Sequence, residues 1–165
     1  MTTTEIEIIE HLWIRMSDGI RLSAKVWLPV GARSKPVPSI LEFIPYRKRD
    51  SYALRDHANH AWFAARGYGC IRPDMRGHGD SEGVMFDEYS VREQEDALEV
   101  IEWLADQDWC TGKVGMMGIS WGGIASLQAA TKQPPALKAV IAVGSSVDRY
   151  YDDAGYLVGG YPGQG

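Results

Sequence analysis

Residues 118–122 read Gly-Ile-Ser-Trp-Gly, a G-x-S-x-G pattern. In that pattern a serine sits on a strained turn between a strand and a helix. The chemistry it would serve is acyl transfer through a covalent serine ester. A five-residue pattern recurs by chance, so its flanks matter. Lys113 to Met117 is a short apolar run of strand length, and Ile124, Ala125, Leu127, Gln128 and Ala129 follow at helical spacing. Pro134-Pro135 then stops the helix. Gly118, Gly122 and Gly123 leave room for a tight turn and a close helix–strand approach. The plain alternative is a glycine-rich strand-to-helix turn with an incidental serine.

A serine hydroxyl is a poor nucleophile at neutral pH. It needs a histidine to take its proton, an acid to hold that histidine, and donors aimed at the developing oxyanion. In the α/β-hydrolase fold the chain order is serine, acid, histidine. All four histidines, His11, His57, His60 and His78, precede Ser120. None fills the histidine slot in that order. His11 alternates within a first strand and reads as solvated. His57 and His60 share an i,i+3 face of a short helix, but no carboxylate or cysteine at ligand spacing backs a metal pair. His78 follows a strand at the edge where catalytic faces lie, and reads as structural or substrate-lining before general base. Asp148 follows the last expected strand, where an acid can sit, with Asp152 and Asp153 close behind; without a histidine none has a partner to orient.

The oxyanion donors are better represented. One is the backbone N–H of the residue after the serine, Trp121. The second belongs on the loop after the third strand, here Ile44 to Asp50. That loop lacks a glycine run but contains Tyr46, whose hydroxyl can donate. Tyr46 reads equally well as an aromatic packing residue at a strand end.

The elements that must position these residues alternate. Residues 5–15 and 22–27, joined by Ser17-Asp18-Gly19, form a hairpin pattern. A strand is expected within Val37–Pro45, whose Ile40–Ile44 run suits a central position. A helix follows over Asp56–Arg66 with Ala58, Ala61, Trp62 and Ala65 inward, then a strand over Tyr68–Pro73. After the glycine-rich loop Arg76–Gly83, Ser90 and Glu93 form a capping box. The helix they open turns Val91, Leu98, Ile101, Leu104 and Ala105 inward. Leu137–Val143 is expected to be one more buried strand. The order argues for an α/β fold: a mostly parallel, doubly wound sheet with an antiparallel N-terminal hairpin.

The 165 residues suit one domain, with 45% hydrophobic and 24% charged residues and a net charge of −5 spread without blocks. That charge pattern offers neither a nucleic-acid groove nor a polybasic membrane patch. The N-terminus lacks the basic and apolar regions of a signal peptide, and no apolar run reaches membrane-spanning length. Cys70, in an apolar run, and Cys110, placed in a loop, make no disulfide framework, so a reduced cytoplasmic protein is the simplest expectation.

Three stretches together resemble a known family: Pro45-Tyr46-Arg47-Lys48, Arg76-Gly77-His78-Gly79-Asp80-Ser81-Glu82-Gly83, and Gly112 to Gly123 around Ser120. They are similar to the N-terminal part of the α/β-hydrolase domain of the cocaine esterase and X-Pro dipeptidyl-peptidase-like serine hydrolases. The resemblance spans roughly residues 5–160. It implies that Ser120 is the nucleophile, that Trp121 gives the backbone donor and that the Tyr46 hydroxyl donates to the oxyanion. It also implies a small-molecule ester or amide substrate and no metal or organic cofactor. Residues 147–153 resemble the region where α-amino-acid ester hydrolases hold a substrate ammonium, which makes Asp152 or Asp153 a candidate; an exposed acidic turn is the simpler reading. Family members are longer, with a helical cap, later strands carrying acid and histidine, and a β jelly roll. The expectation is therefore that residues 1–165 are the N-terminal portion of an α/β-hydrolase domain. It would be truncated before the cap and the last strands, with about 148–165 starting a cap or insertion. Such a chain would be catalytically crippled. The alternative is a non-catalytic fragment or interaction module that self-associates through an uncovered sheet edge.

Overall fold

Alternation of apolar and polar residues sets the first two strands, β1 (Ile6–Arg15) and β2 (Arg21–Pro29), as an antiparallel pair. Asp18 closes their turn by accepting the Ile20 amide, and Gly19 supplies the positive φ of 89°. The computed structural model describes residues 4–148 together with the short strands Tyr156–Leu157 and Tyr161–Pro162.

The sheet continues with β3 (Val37–Leu41), β4 (Gly69–Pro73), β5 (Cys110–Ile119) and β6 (Leu137–Val143), in the spatial order β1-β2-β4-β3-β5-β6. β3, β4, β5 and β6 run parallel; β2 joins β4 antiparallel. Three helices connect them: α1 (Ala53–Ala64), α2 (Val91–Ala105) and α3 (Trp121–Thr131).

Alternate residues of one strand serve the two faces. Val26, Leu28 and Ile71 join the main core, with Val100, Ile101 and Leu104 of α2 and Ala129 of α3. Trp27 and Cys70 point the other way and pack with Ala64 of α1 in a smaller cluster. Helices thus cover both faces of a mixed, mainly parallel sheet, as expected.

Several expectations need correction. The strand expected within Val37–Pro45 ends at Leu41; beyond it Ile44 makes only an isolated bridge to Asp74. Cys110 is not in a loop but opens β5. α1 begins three residues early, and its buried face is Asp56, His60 and Ala64, while Ala58 and Trp62 are exposed. Apolar periodicity fails there because the buried partners are ionic. In α2, Val91 is 72% exposed and Ala97 and Val100 take the core positions. Val91 is the first residue of α2, and the buried place in that turn is taken by Glu93, which pairs with the Trp121 indole. β6 is not buried: Leu137 and Val140 pack on the main core, but Ile141 and Val143 are 59% and 49% exposed. Among the described residues β6 is the last strand of the sheet, and no helix covers its second face.

Candidate active site

The chain leaves β3 toward α1 on one face and leaves β5 toward α3 on the other, while β3 and β5 are neighbours. Ligands of open α/β sheets bind in the crevice at such a switch point, beyond the carboxyl ends of the strands. Ser120 follows β5 directly, and Tyr46 lies on the loop beyond β3.

Ser120 has φ 53° and ψ −115°, a conformation that side-chain-bearing residues rarely adopt. Two backbone bonds hold it there. Its N–H donates to the Val143 carbonyl at 2.8 Å, and its own carbonyl accepts the Ile124 amide at 2.9 Å. The glycines around it allow the helix to approach. A Cβ on Gly118 would fall on the Gly122 backbone, one on Gly123 on the Ser145 side chain, and one on Gly122 would lie 2.5 Å from Ile44 Cγ2. The first turn of α3 therefore rests on the start of the Tyr46 loop. Ser120 itself is exposed. The Trp121 amide opens α3 and has no carbonyl to pair inside the helix.

The Trp121 side chain is tied down. Its indole Nε1–H donates to Glu93 Oε1 at 2.7 Å and its ring stacks on Tyr89 with centroids 4.3 Å apart. The expected capping box at Ser90 and Glu93 forms only in half. Ser90 Oγ accepts the Glu93 amide at 3.2 Å, but the Glu93 carboxylate takes the Tyr89 amide and the Trp121 indole. Burial pushes the Glu93 carboxyl above its ordinary range, against the pull of those two donors.

Tyr46 is 37% exposed, and its ring stacks on Tyr52 at 4.6 Å. The loop beyond it is fastened at Lys48, whose side chain is 1% exposed. Lys48 Nζ lies 3.0 Å from Asp74 and 2.6 Å from Asp80, and its amide donates to Asp74 Oδ1 at 2.7 Å. A Cβ on Gly79 would strike the Asp74 carboxylate, which is why glycine stands in that loop.

Each of the four histidines has a partner other than Ser120. His11, exposed as expected, places Nδ1 3.0 Å from Ser23 Oγ, and His57 accepts the Trp27 indole at 3.3 Å. His78 Nδ1 lies 3.0 Å from the Arg76 carbonyl, and its ring lines a cleft of about 520 Å³ with Tyr46, Arg47 and Ser51. His60 is fully buried, 3.1 Å from Glu42. Carboxylates therefore do stand beside His60, contrary to the expectation from sequence, because the fold brings Glu42 and Asp56 to it. The ligand atoms of Glu42, Asp56 and His60 lie within 4.8 Å of one another. Arg55 and Arg72 pair with the same two carboxylates and balance their charge, so this trio has no excess negative charge to draw a cation. Asp148 is exposed and makes a local turn with Ser146, while Asp152 and Asp153 lie outside the described residues.

Sequence patterns alone do not single out Arg72, Glu42, Asp56, Lys48 or Glu93 as functional. A charge inside an apolar strand run is the available signal for two of them: Arg72 follows Cys70-Ile71, and Glu42 divides Leu41 from Phe43.

A sheet of this topology, with a serine on a strained turn at its switch point, defines the class of α/β hydrolases. The chain belongs to the X-Pro dipeptidyl-peptidase (S15) family, whose model matches residues 18–164. It is 32% identical over 151 residues to a cocaine esterase of Rhodococcus sp., covering 91% of this chain and 26% of that protein. A putative Xaa-Pro dipeptidyl-peptidase of Bacillus anthracis is 29% identical, with 95% and 33% covered. Among solved structures, a CocE/NonD family hydrolase from Staphylococcus aureus superposes with a TM-score of 0.75 at 27% identity, over 89% of this chain and 29% of that one. An α-amino acid ester hydrolase gives 0.72 at 28% identity, over 89% and 26%. The chain thus spans between a quarter and a third of the length of these relatives. No helix among the described residues is long and apolar enough to cross a membrane.

Proposed function

We propose that this chain carries the nucleophile and oxyanion half of a serine hydrolase for small ester or amide substrates, working through an acyl-enzyme on Ser120. The observation that carries this reading is the φ of 53° at Ser120, between β5 and α3, with glycines where the helix crowds the strand. Ser120 Oγ attacks the substrate carbonyl, and its proton passes to a base. The oxygen gains negative charge and takes hydrogen bonds from the Trp121 amide and the Tyr46 hydroxyl. Collapse expels the alcohol or amine and leaves the acyl group on Ser120. Asp152 and Asp153 are candidates to hold a substrate ammonium. A cytoplasmic setting fits the two free cysteines.

The base is the weak point, since all four histidines precede Ser120 in the chain and each holds another partner. Removing the histidine from a serine hydrolase costs about 10⁶ in kcat. From a typical kcat of about 10 s⁻¹, acylation falls to about 10⁻⁵ s⁻¹, or roughly a day. Mass spectrometry after incubation with a p-nitrophenyl ester is therefore the test. An acyl adduct accumulates on Ser120 over that time and is missing from Ser120→Ala. An adduct confined to other residues, or none, overturns the nucleophile assignment. Rapid steady turnover abolished by Ser120→Ala overturns the missing base instead.

A second reading is favoured by β6, which ends the sheet with Ile141 and Val143 exposed. In it the chain associates with another polypeptide, including a second copy, through that edge.

A further inference from the structure

Arg72 is the least expected side chain near the site. It sits on β4 with 0% exposure, and burial depresses its basicity against the opposing pull of Asp56, Glu42 and Asp74. Its Nη1 donates to the Pro73 carbonyl at 2.6 Å and lies 3.4 Å from the Ile44 carbonyl. Its Nη2 donates to the Tyr46 carbonyl. Its Nε lies 3.1 Å from Asp56 Oδ2. A single guanidinium therefore reaches three carbonyls, two of them on the loop that carries Tyr46.

β3 has ended at Leu41, and beyond it the sheet offers this stretch only the bridge of Ile44 to Asp74, so the Tyr46 carbonyl falls to the guanidinium. A buried carbonyl without a donor is costly, so something must pair with each. Only a planar fork with five donors can serve three acceptors and a carboxylate at once; a lysine ammonium has three donors on one atom. The fork is fixed in turn. Asp56 Oδ1 accepts Arg55 Nη2 at 2.7 Å, and Arg55 Nη2 also reaches Glu42 Oε1 at 2.6 Å. Burial works against the Glu42 charge, but His60 and Arg55 together hold its carboxyl below the usual range. The result is a strut from α1 through β4 to the loop beyond β3. With its carbonyl drawn inward, Tyr46 keeps its ring outward on Tyr52, and the Arg55 guanidinium lies 4.9 Å from the centre of the Tyr52 ring.

We propose that Arg72 is a positioning residue for the oxyanion tyrosine, holding the backbone of Tyr46 so that its hydroxyl is aimed at the oxyanion. This rests on the proposed roles of Tyr46 and Ser120. An oxyanion donor must be held to within about 0.5 Å of its working position, and a loop outside the sheet lacks that rigidity by itself.

Phenylboronic acid tests this without a catalytic base. The Ser120 oxygen adds to boron, its proton leaves to the buffer, and a boronate hydroxyl occupies the oxyanion position. Affinity is measured by titration for the wild-type chain, Ser120→Ala, Tyr46→Phe, Arg72→Lys and the Tyr46→Phe/Arg72→Lys double variant. Tyr46→Phe weakens binding by about 10- to 100-fold, the scale of a lost hydrogen bond to a charged group. Arg72→Lys weakens it by about tenfold, and the double variant binds no worse than Tyr46→Phe alone, because residues acting as a unit are not additive. An equal loss in both backgrounds makes Arg72 merely structural and overturns the proposal, as does no loss on Arg72→Lys. Unchanged binding on Tyr46→Phe or Ser120→Ala, or no binding by the wild type, instead sinks the underlying roles of those residues, and the proposal with them. Should Arg72→Lys fail to fold, Asp56→Asn loosens the same guanidinium and takes its place in the cycle. A loss that vanishes in the Tyr46→Phe background then supports the strut, and an equal loss in both backgrounds overturns it.

Discussion

The indole of Trp121 donates to the carboxylate of Glu93 over 2.7 Å, joining the first residue of α3 to the first turn of α2. Glu93 also accepts the amide of Tyr89, a residue held at φ 53° whose ring stacks on that indole. One buried carboxylate thus holds the Trp121 side chain, next in sequence to Ser120, and the backbone of the tyrosine that stacks on it.

Glu93 carries a pH signature. Burial raises its carboxyl above the ordinary value of 4.5, so the folded chain holds this proton more tightly than the unfolded chain. Stability falls with pH wherever the folded state binds more protons. The advantage of wild type over Glu93→Gln is therefore greatest below the ordinary glutamate range. It declines as pH rises through that range to the raised value. Urea unfolding of both proteins between about pH 4 and 8 measures the difference. A difference that stays flat or grows with pH contradicts the assignment.

Glu93 also marks how far the sequence could be read. Its spacing from Ser90 signals a helix start, and the helix does start there, but the carboxylate is diverted by a contact 28 residues away. The hairpin, the parallel strands and the turn at Ser120 are legible because apolar period and glycine placement are local properties. The buried face of α1 is not. Asp56 and His60 look solvent-facing until Glu42, just beyond β3, and Arg72 on β4 arrive to pair with them. The exposure of β6 escapes for the opposite reason. A continuous apolar run predicts burial, but which strand ends a sheet depends on what lies beside it. Tyr46 can be placed on its loop from sequence, and the strut beneath it cannot, since Arg72 is 26 residues distant.

Ser120 stores backbone strain. Such a conformation costs on the order of 1–3 kcal/mol in a residue with a Cβ, and glycine relieves most of it. Ser120→Gly is expected to be more stable than Ser120→Ala by about 1 kcal/mol, while both lose the acyl adduct. Denaturant midpoints of the two variants decide this. Equal midpoints would mean that the turn is unstrained and that the serine is free to be replaced without a stability gain.

Lys48 closes the far end of the Tyr46 loop, with Asp74 fully buried beside it and Asp80 partly exposed. Lys48→Met leaves the Asp74 carboxylate buried without its cation, a change that typically costs about 3–5 kcal/mol. Asp80→Asn removes only the outer partner, whose charge water still reaches, and should cost about 1 kcal/mol or less. The Lys48 amide still donates to Asp74 in either variant. Urea unfolding gives the ranking. A loss for Asp80→Asn equal to that for Lys48→Met would place the anchor of the clamp at Asp80.

β6 separates the two readings of the chain as a whole. Its Ile141 and Val143 project from a terminal strand, and the sheet face beside it forms an apolar groove with Ile40, Phe63, Tyr68 and Met117. An open strand edge with apolar side chains is a template for pairing. Lysine on such a strand opposes pairing through charge and the water it retains. Ile141→Lys should therefore shift the chain toward monomer in size-exclusion chromatography at matched concentration, with little effect on its stability, since Ile141 is 59% exposed. The Ser120 adduct should form at an unchanged rate in that variant. If instead the adduct is lost while the fold persists, association through β6 and the chemistry at Ser120 are one function, because assembly would then be what supplies the missing base.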